Sequence, residues 1–464
     1  MQPCWQSSRT NLLPCNVKLG LTCQHMKLTE VTGSSKTVKN RSYRFDTLQE
    51  WLDWQEKLHF TAIELGLDRC RKVAELMKLL PPAYFVISVA GTNGKGSTAV
   101  MLENILRSAG YKTGIYTSPH LIRYNERIKV DGREIDDPTL CAAFDRIDKA
   151  RENISLTYFE FGTLAAMDIF QNRKIDIAIM EVGMGGRLDA VNMLDANISI
   201  ISTIDIDHEQ WLGYDRISIG REKAGIFRSM RPAICADSDP PATVLETASL
   251  VGANLFVSGK DFSFEIANDS WSWRSGLTRF EHLPVPGKHN YQIQNAAGVL
   301  MVLQAVADFF PVQQQILFDA LRNFRMPGRF QLIPADIPCI LDVAHNRQSA
   351  AVLAENIRAL PETGKIHLVL GMLKDKNHTA FIQELVEQVD SWYLATLDNA
   401  RGASSSDLAK ILFSLSPQAR VRQFNDVAKA ISAANAEAGA GDHVIIAGSF
   451  ITVADAINHL EIDI

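Results

Sequence analysis

The stretch Val89-Ala90-Gly91-Thr92-Asn93-Gly94-Lys95-Gly96-Ser97-Thr98 constrains this chain more than any other. An apolar run, Tyr84-Phe85-Val86-Ile87-Ser88-Val89, leads into it and predicts a buried strand. Behind it Val100, Met101, Leu102, Ile105 and Leu106 recur at helical spacing, with Gly110 as the stop signal. Strand, glycine loop and helix together form the context of a phosphate-binding loop. The glycines let the backbone approach an anion, the free N–H groups at the helix start point at it, and Lys95 adds a mobile positive charge. The match to G-x-x-x-x-G-K-[ST] is imperfect: Val89 stands where the first Gly belongs, and Gly96 separates Lys95 from Ser97. A plain glycine turn is the alternative, but Lys95 and Ser97 both sit where phosphate chemistry uses such residues.

A chain of 464 residues implies two or more domains, and 46% hydrophobic with 22% charged residues describes a globular protein able to bury a full core. The net charge of −6 argues against nucleic acid as a partner. No apolar run approaches the roughly 20 residues needed to span a bilayer. Of the 7 cysteines, Cys4, Cys15 and Cys23 fall at the start, and Cys70, Cys141, Cys235 and Cys339 are scattered without metal-type spacing. That usage fits reduced structural thiols in a cytoplasmic protein. Residues 1–44 read as a disordered polar extension, with Met26 a plausible true start.

Helical periodicity runs from Leu48 to Leu58, then His59 to Arg69 forms a loop feeding a second helix. Lys112 to Thr117 reads as a short strand ending in Ser118-Pro119-His120. Its hydroxyl is placed either for a Mg²⁺ ion or for a simple turn, since ligands gather at the carboxyl edge of an open α/β sheet. Ser155 to Thr163 opens another helix, whose aromatic residues serve either as core or as a slot for a flat heteroaromatic ring with Glu160 as polar anchor. Ile175 to Met180 is a buried strand ending in Glu181, followed by the glycine run Gly183-Met184-Gly185-Gly186 and Arg187-Leu188-Asp189-Ala190. An acid at a strand end beside a phosphate loop suits Mg²⁺. Asn197 to Ile204 is the next strand, ending in Asp205-Ile206-Asp207-His208. Arg221-Glu222-Lys223-Ala224-Gly225-Ile226 has the pattern of an exposed helical turn with a solvated Lys.

From 253 to 285 the alternating runs Phe262 to Ile266 and Trp271 to Arg274 predict antiparallel strands appended to the main sheet. A helix carrying Asn295 follows. Met326-Pro327-Gly328-Arg329 reads as a hinge, placed at 327–330. Beyond it Cys339 to Leu341, Ile366 to Leu370, Trp392 to Ala395 and His443 to Ala447 predict a smaller, mostly parallel α/β domain whose first strand ends in Asp342-Val343-Ala344-His345-Asn346.

These motifs, in this order from about residue 45 to the end, resemble the Mur ligase superfamily and, within it, the bacterial bifunctional dihydrofolate synthase/folylpolyglutamate synthases. The resemblance implies an ATP-binding α/β domain over 45–326 with a small antiparallel addition, and a Rossmann-like ligase domain over 331–464. It implies that Thr92, Asn93, Gly94 and Lys95 cradle the ATP phosphates, that Asn295 meets the adenine side, and that Arg329, Asp342 and His345 reach ATP from the hinge and second domain. It also implies two Mg²⁺ ions, one on Ser118 and Glu181 and one on His208, with K⁺ as a further possible cation. Lys223 would be a carbamylated lysine beside the second ion, so that Lys95, Lys223 and His208 form the catalytic group. Ala62, Ile63, Glu64, Leu65, Thr157, Tyr158, Phe159, Glu160, Leu188, Asp189 and Ala190 would border a pteroate pocket. One departure stands out: Arg347 follows Asn346 where the family usually has Pro, which removes a stiffening element.

The activity so implied joins L-glutamate to dihydropteroate, and further L-glutamates to reduced folates, through an acyl phosphate made from ATP. Such a protein would act on small molecules in the cytoplasm, as a monomer without nucleic acid or membrane partners. A cell-wall ligase of the same superfamily would share the ATP residues, but usually carries a separate N-terminal domain that residues 1–44 are too short and polar to form. An NTP-dependent switch without ligase activity is the rival from another class.

Overall fold

The computed structural model describes residues 43–463 apart from Ala62 and 361–363. Met26, Cys4, Cys15, Cys23 and nearly all of the polar extension lie outside the described residues, as does Ala62. Arg44, assigned to that extension, instead pairs with Asp148 at 2.6 Å. No described helix is long and apolar enough to cross a membrane.

The first sheet comprises β1 (Phe85–Ala90), β2 (Thr113–Tyr116), β3 (Ile128–Val130), β4 (Arg133–Glu134), β5 (Ile177–Glu181), β6 (Ile198–Ile201), β7 (Pro232–Cys235) and β8 (Asn254–Val257). Its order is β4-β3-β2-β5-β1-β6-β7-β8. All pairings are parallel except β2 with β3 and β3 with β4. The central β1 is apolar on both faces because helices cover both faces of a parallel sheet. Alternate residues serve different cores: Val86 and Ala90 join Phe161 and Phe170, whereas Ile87 and Val89 join Leu102, Ile105 and Val299.

The strands β9 (Ser263–Ile266), β10 (Ser270–Ser275) and β11 (Thr278–Pro284) are antiparallel, as the alternation predicts. They are not appended to the main sheet, however, but form a sheet of their own, linked to it among the described residues by the isolated bridge Ser258 to Phe262. The reason lies in the indoles. Trp271 and Trp273, two residues apart, share one face and are buried in the same core as the helix Tyr291–Ala305. Trp273 Nε1 donates to Ala297 O of that helix at 3.1 Å. Burying two large aromatic side chains outweighs extending a strand ladder at the sheet edge.

The last sheet holds β12 (Gln331–Ile333), β13 (Cys339–Leu341), β14 (Ile366–Leu370), β15 (Ser391–Ala395), β16 (Arg420–Phe424) and β17 (His443–Ala447), in the order β12-β13-β17-β14-β15-β16. The four expected strands are its interior and are parallel. Two edge strands were not expected. The antiparallel β12 is short, and β16 (Arg420-Val421-Arg422-Gln423-Phe424) is too polar to announce itself. Charged, short edges of this kind discourage pairing with other chains. Described cysteines Cys70, Cys141, Cys235 and Cys339 are buried and free.

Candidate active site

The chain turns out of β1 at Gly91, and Gly94 caps the helix Lys95–Ser108 in the left-handed region at φ +84°. Only glycine takes that conformation without strain, and its missing Cβ is filled by Asn295: a methyl there would overlap Asn295 Oδ1. The loop is strapped to the end of β6. Thr92 N donates to Thr203 O at 2.6 Å, Ser202 Oγ to Asn93 O at 2.6 Å, and Thr92 Oγ1 to Asp205 O at 2.9 Å. Gln292 Nε2 donates to Ser97 Oγ at 3.2 Å, so the helix carrying Asn295 braces the loop from behind. The result is a rigid cradle of N–H groups at a helix start, the arrangement that binds phosphate.

Two lysines face one carbonyl of this loop. Lys95 Nζ donates to Gly91 O at 3.1 Å and Thr92 O at 3.3 Å, and Lys223 Nζ donates to the same Gly91 O at 2.8 Å. Lys223 is therefore not the solvated lysine of an exposed turn. It is 3% exposed, on the helix Arg216–Ala224. Gly186 and Gly225 make that burial possible by letting the chain after Glu181 lie on this helix, where Arg187 N donates to Glu222 O at 2.8 Å. Burial and the Lys95 charge push the Lys223 ammonium well below the usual lysine range, towards the neutral amine. Burial also lowers Lys95, opposed by the charges of Glu181 and Asp207.

Glu181 ends β5 beside Gly96, with Ser118 N donating to its Oε2 at 3.1 Å. Burial pushes its carboxyl up to about 7, against the pull of Lys95. Its side chain takes no other hydrogen bond among the described residues. A buried acid with spare oxygen lone pairs, next to a phosphate cradle, fits a divalent cation that is completed by phosphate and water. Among the described residues no three His, Cys, Asp or Glu side chains converge to hold a metal by themselves. His208, in the left-handed region at φ +53°, follows Asp207. Burial lowers its imidazole to about 4, leaving it neutral at physiological pH, the form that ligates metals.

Loops of the last sheet reach into this site. Lys376 Nζ donates to Asp207 Oδ1 at 2.6 Å, Asn346 Nδ2 donates to Asp207 Oδ2 at 3.0 Å, and His345 Nε2 lies 3.6 Å from the same oxygen. Burial opposes ionisation of Asp207, but the His345 and Lys376 contacts outweigh it and hold the carboxyl far below the usual range. Asn93 Nδ2 donates to Gln348 Oε1 at 2.6 Å and Asn346 Oδ1 at 3.1 Å. Asp342 accepts from Phe330 N and Ala344 N, each at 2.8 Å, and burial raises its carboxyl against the pull of Arg329. The Arg329 guanidinium lies over the Phe450 ring, 5.3 Å from its centroid. Arg347 occupies the first position of its helix. Asn346 caps that helix through Ser349 N at 3.0 Å, and Arg347 pairs with Glu384 at 2.9 Å, so the loop is held without the proline.

The expected ring-binding segments also meet. Gly66 N donates to Leu188 O at 3.1 Å. Phe159 packs against Gly183, where any Cβ would overlap its ring, and lies 5.8 Å from Tyr116. Tyr158 sits under the Arg127 guanidinium at 5.5 Å. Three polar members have internal duties. Thr157 and Glu160 form a reciprocal helix cap, Glu160 N to Thr157 Oγ1 at 3.2 Å and Thr157 N to Glu160 Oε2 at 2.7 Å. Asp189 accepts from Met184 N at 2.9 Å and Val191 N at 3.0 Å, and burial pushes its carboxyl up to about 6. Ala190 is buried beside it, while Ile63, Glu64 and Leu65 stay partly accessible.

Three members of this cluster, Lys376, Gln348 and Gln292, are not among the residues predicted from the sequence. A signal existed for the first: Lys374-Asp375-Lys376 follows Gly371 just past the carboxyl end of β14, the same edge rule that selected Asp342. For Gln348 and Gln292 the sequence holds no such signal.

Comparison with known proteins gives the family. The Mur ligase middle domain matches residues 89–303 and the Mur ligase glutamate ligase domain matches residues 328–450. The dihydrofolate synthase/folylpolyglutamate synthase of Escherichia coli is 41% identical over 91% of this chain and 98% of its own. The structure of E. coli FolC in complex with DHPP and ADP superposes with a TM-score of 0.86 at 42% identity, covering 90% of this chain and 98% of that one. A bifunctional folylpolyglutamate synthase/dihydrofolate synthase with Mn, AMPPNP and L-glutamate bound gives a TM-score of 0.83 at 41% identity, covering 90% and 98%. On fold and sequence together, the chain belongs to the dihydrofolate synthase/folylpolyglutamate synthase family of Mur-type ligases.

Proposed function

We propose that this protein is an ATP-dependent ligase that adds L-glutamate to dihydropteroate, forming dihydrofolate, and adds further L-glutamates to reduced folates. The observation that carries the reading is the phosphate cradle with two lysines on Gly91 O, Lys223 buried and Lys95 half-buried, closed over by Asp207 from the first sheet's edge and by Lys376, Asn346 and His345 from the last sheet's edge. A switch needs only the cradle. A ligase also needs a second wall, because water would destroy an activated carboxylate. The relatives bound to DHPP and ADP, and to AMPPNP and L-glutamate, support the substrate classes.

In this reading Thr92, Asn93, Gly94 and Lys95 bind the ATP phosphates, with Asn295 behind the loop and Arg329, Asp342 and His345 on the far side. The acceptor carboxylate attacks the γ-phosphate, giving an acyl phosphate and ADP. Lys95 is positioned to neutralise charge gathering on the transferred group. The glutamate amine then attacks the acyl carbon and phosphate leaves. Ser118 with Glu181, and His208, are the residues to hold Mg²⁺, which supplies charge neutralisation on the phosphates. Lys223 is poised for carbamylation: its neutral amine adds to CO₂, releases a proton, and becomes an anionic oxygen ligand. Ile63, Leu65, Phe159, Leu188 and Ala190 line the pteridine end, and turning about 327–330 admits substrates. The protein acts in the cytoplasm as a monomer.

The test is ADP release with ATP, Mg²⁺ and L-glutamate, run with dihydropteroate, with tetrahydrofolate and with neither, following products by mass. One added glutamate on both acceptors supports the bifunctional reading. A gain on tetrahydrofolate alone removes the biosynthetic half, and ATP turnover indifferent to either acceptor removes the ligase.

A further inference from the structure

Arg69 sits in the first turn of the helix Asp68–Leu76, where a cation opposes the helix dipole and no side chain caps the end. Its position is explained by what it holds. Nη1 donates to Glu64 Oε1, and Nη2 donates to both Glu64 O and Glu160 Oε1 at 3.1 Å. The other oxygens of the two acids are also occupied: Glu64 Oε2 contacts His59 Nε2 at 2.7 Å, and Glu160 Oε2 accepts from Thr157 N. His59 is anchored in turn by Ser155 Oγ at 2.8 Å. One guanidinium thus joins the segment 63–66 to the start of the helix Tyr158–Arg173, and the Gly66 to Leu188 bond adds the third segment.

We propose that Arg69 is the positioning residue of the acceptor pocket, clamping Glu64 to Glu160 so that 63–66, 157–160 and 188–190 form one rigid wall for a flat, fused heteroaromatic ring. Glu64 and Glu160 belong to that frame and do not bind the ring; the contact surface is left to Ile63, Leu65, Phe159, Leu188 and Ala190. The inference rests on the functional reading above. Glu160 is 3% exposed, so without Arg69 its buried carboxyl has only its cap for a partner, and 63–66 is released. Lysine cannot replace the clamp, since a single ammonium does not span two carboxylates and a carbonyl in the planar fork that arginine provides.

The test uses the full chain with Arg69→Lys, Arg69→Met and the milder Glu64→Gln, whose side chain is partly solvated. Amide exchange at Gly66, measured without substrate, is expected to quicken about tenfold or more in the arginine variants. KM for dihydropteroate and tetrahydrofolate is expected to rise about tenfold or more, with KM for ATP within about twofold and kcat largely kept. Glu64→Gln should move the same quantities in the same direction by less. Faster Gly66 exchange with unchanged acceptor KM would overturn the clamp's role in acceptor binding, as would equal rises in the ATP and acceptor KM values. A wild-type enzyme that glutamylates neither acceptor would sink the functional reading and the acceptor role together, whereas unchanged Gly66 exchange would sink the clamp alone.

Discussion

Replacing Gly94 by alanine tests the phosphate cradle at its tightest point. Gly94 holds φ +84° and ψ −7°, where a side chain costs about 1–2 kcal/mol in an L-residue. The added methyl would overlap Asn295 Oδ1 and stand 3.1 Å from Asn295 Cγ and 3.2 Å from its Nδ2. To clear it, Asn295 must turn away from Gln292, giving up the Nδ2 to Oε1 bond of 2.9 Å. A buried neutral hydrogen bond of that kind contributes about 1 kcal/mol. The sum is about 2–3 kcal/mol, and the chain can take it in either of two places. If the loop keeps its shape, folding stability falls by that amount. If the loop shifts, the loss appears in nucleotide binding as about 30- to 150-fold weaker affinity. Calorimetric titration with ADP and urea unfolding of the same preparation measure both, and the two losses together should reach the sum. Affinity within about twofold, with stability changed by less than about 0.5 kcal/mol, would refute the claim that Gly94 and Asn295 are packed this closely.

Lys95→Ala should lower turnover by about a thousandfold or more with the circular dichroism spectrum intact, because among the described residues its ammonium bonds only to two carbonyls of its own loop; near-normal turnover would remove the cradle assignment. Lys223→Ala should be almost inactive and partly restored by added short carboxylic acids, and electron density showing a bare lysine in active enzyme would end the carbamate reading. Gln348→Ala should loosen the clasp on Asn93, weakening protection of the 92–94 amides without touching the sheets; unchanged exchange there would count against it. Asp189 supplies a pH test. Its folded carboxyl is raised from 3.8 to about 6, so the stability it contributes is full below the unfolded value and lost as pH rises through about 6. The loss amounts to about 2–3 kcal/mol. Glu181 and Asp342, also raised, contribute slopes of the same sign, so unfolding curves between pH 3.5 and 7 should fall more steeply in the wild type than in Asp189→Asn, and parallel slopes would disprove it.

Much of this architecture is written locally. The strand β1, the glycine loop and the helix behind it follow from an apolar run, three glycines and helical spacing, all within neighbouring residues. The interior strands of the last sheet are legible for the same reason, and the Thr157-x-x-Glu160 cap is itself a sequence signature. Edge strands such as β16 carried no such pattern, because a half-solvated edge tolerates polar residues on both faces.

What lies beyond that horizon is burial and partnership. Lys223 sits in a charged run that any local reading places in solvent, and its partner Gly91 is 132 residues away. Asn93 meets Gln348 across 255 residues, and Lys376 meets Asp207 across 169. Arg69 shows the same division on a smaller scale: its sequence position marks it only as a helix-start cation of the wrong sign, while the pairing with Glu160 depends on a helix 91 residues on. Periodicity and turn chemistry act over a few residues, so the sequence by itself determined the elements and the kind of chemistry they present. Desolvation and charge pairing depend on which elements pack together, so only the tertiary structure decided which lysine is buried, which acids are already paired, and which groups face the substrate.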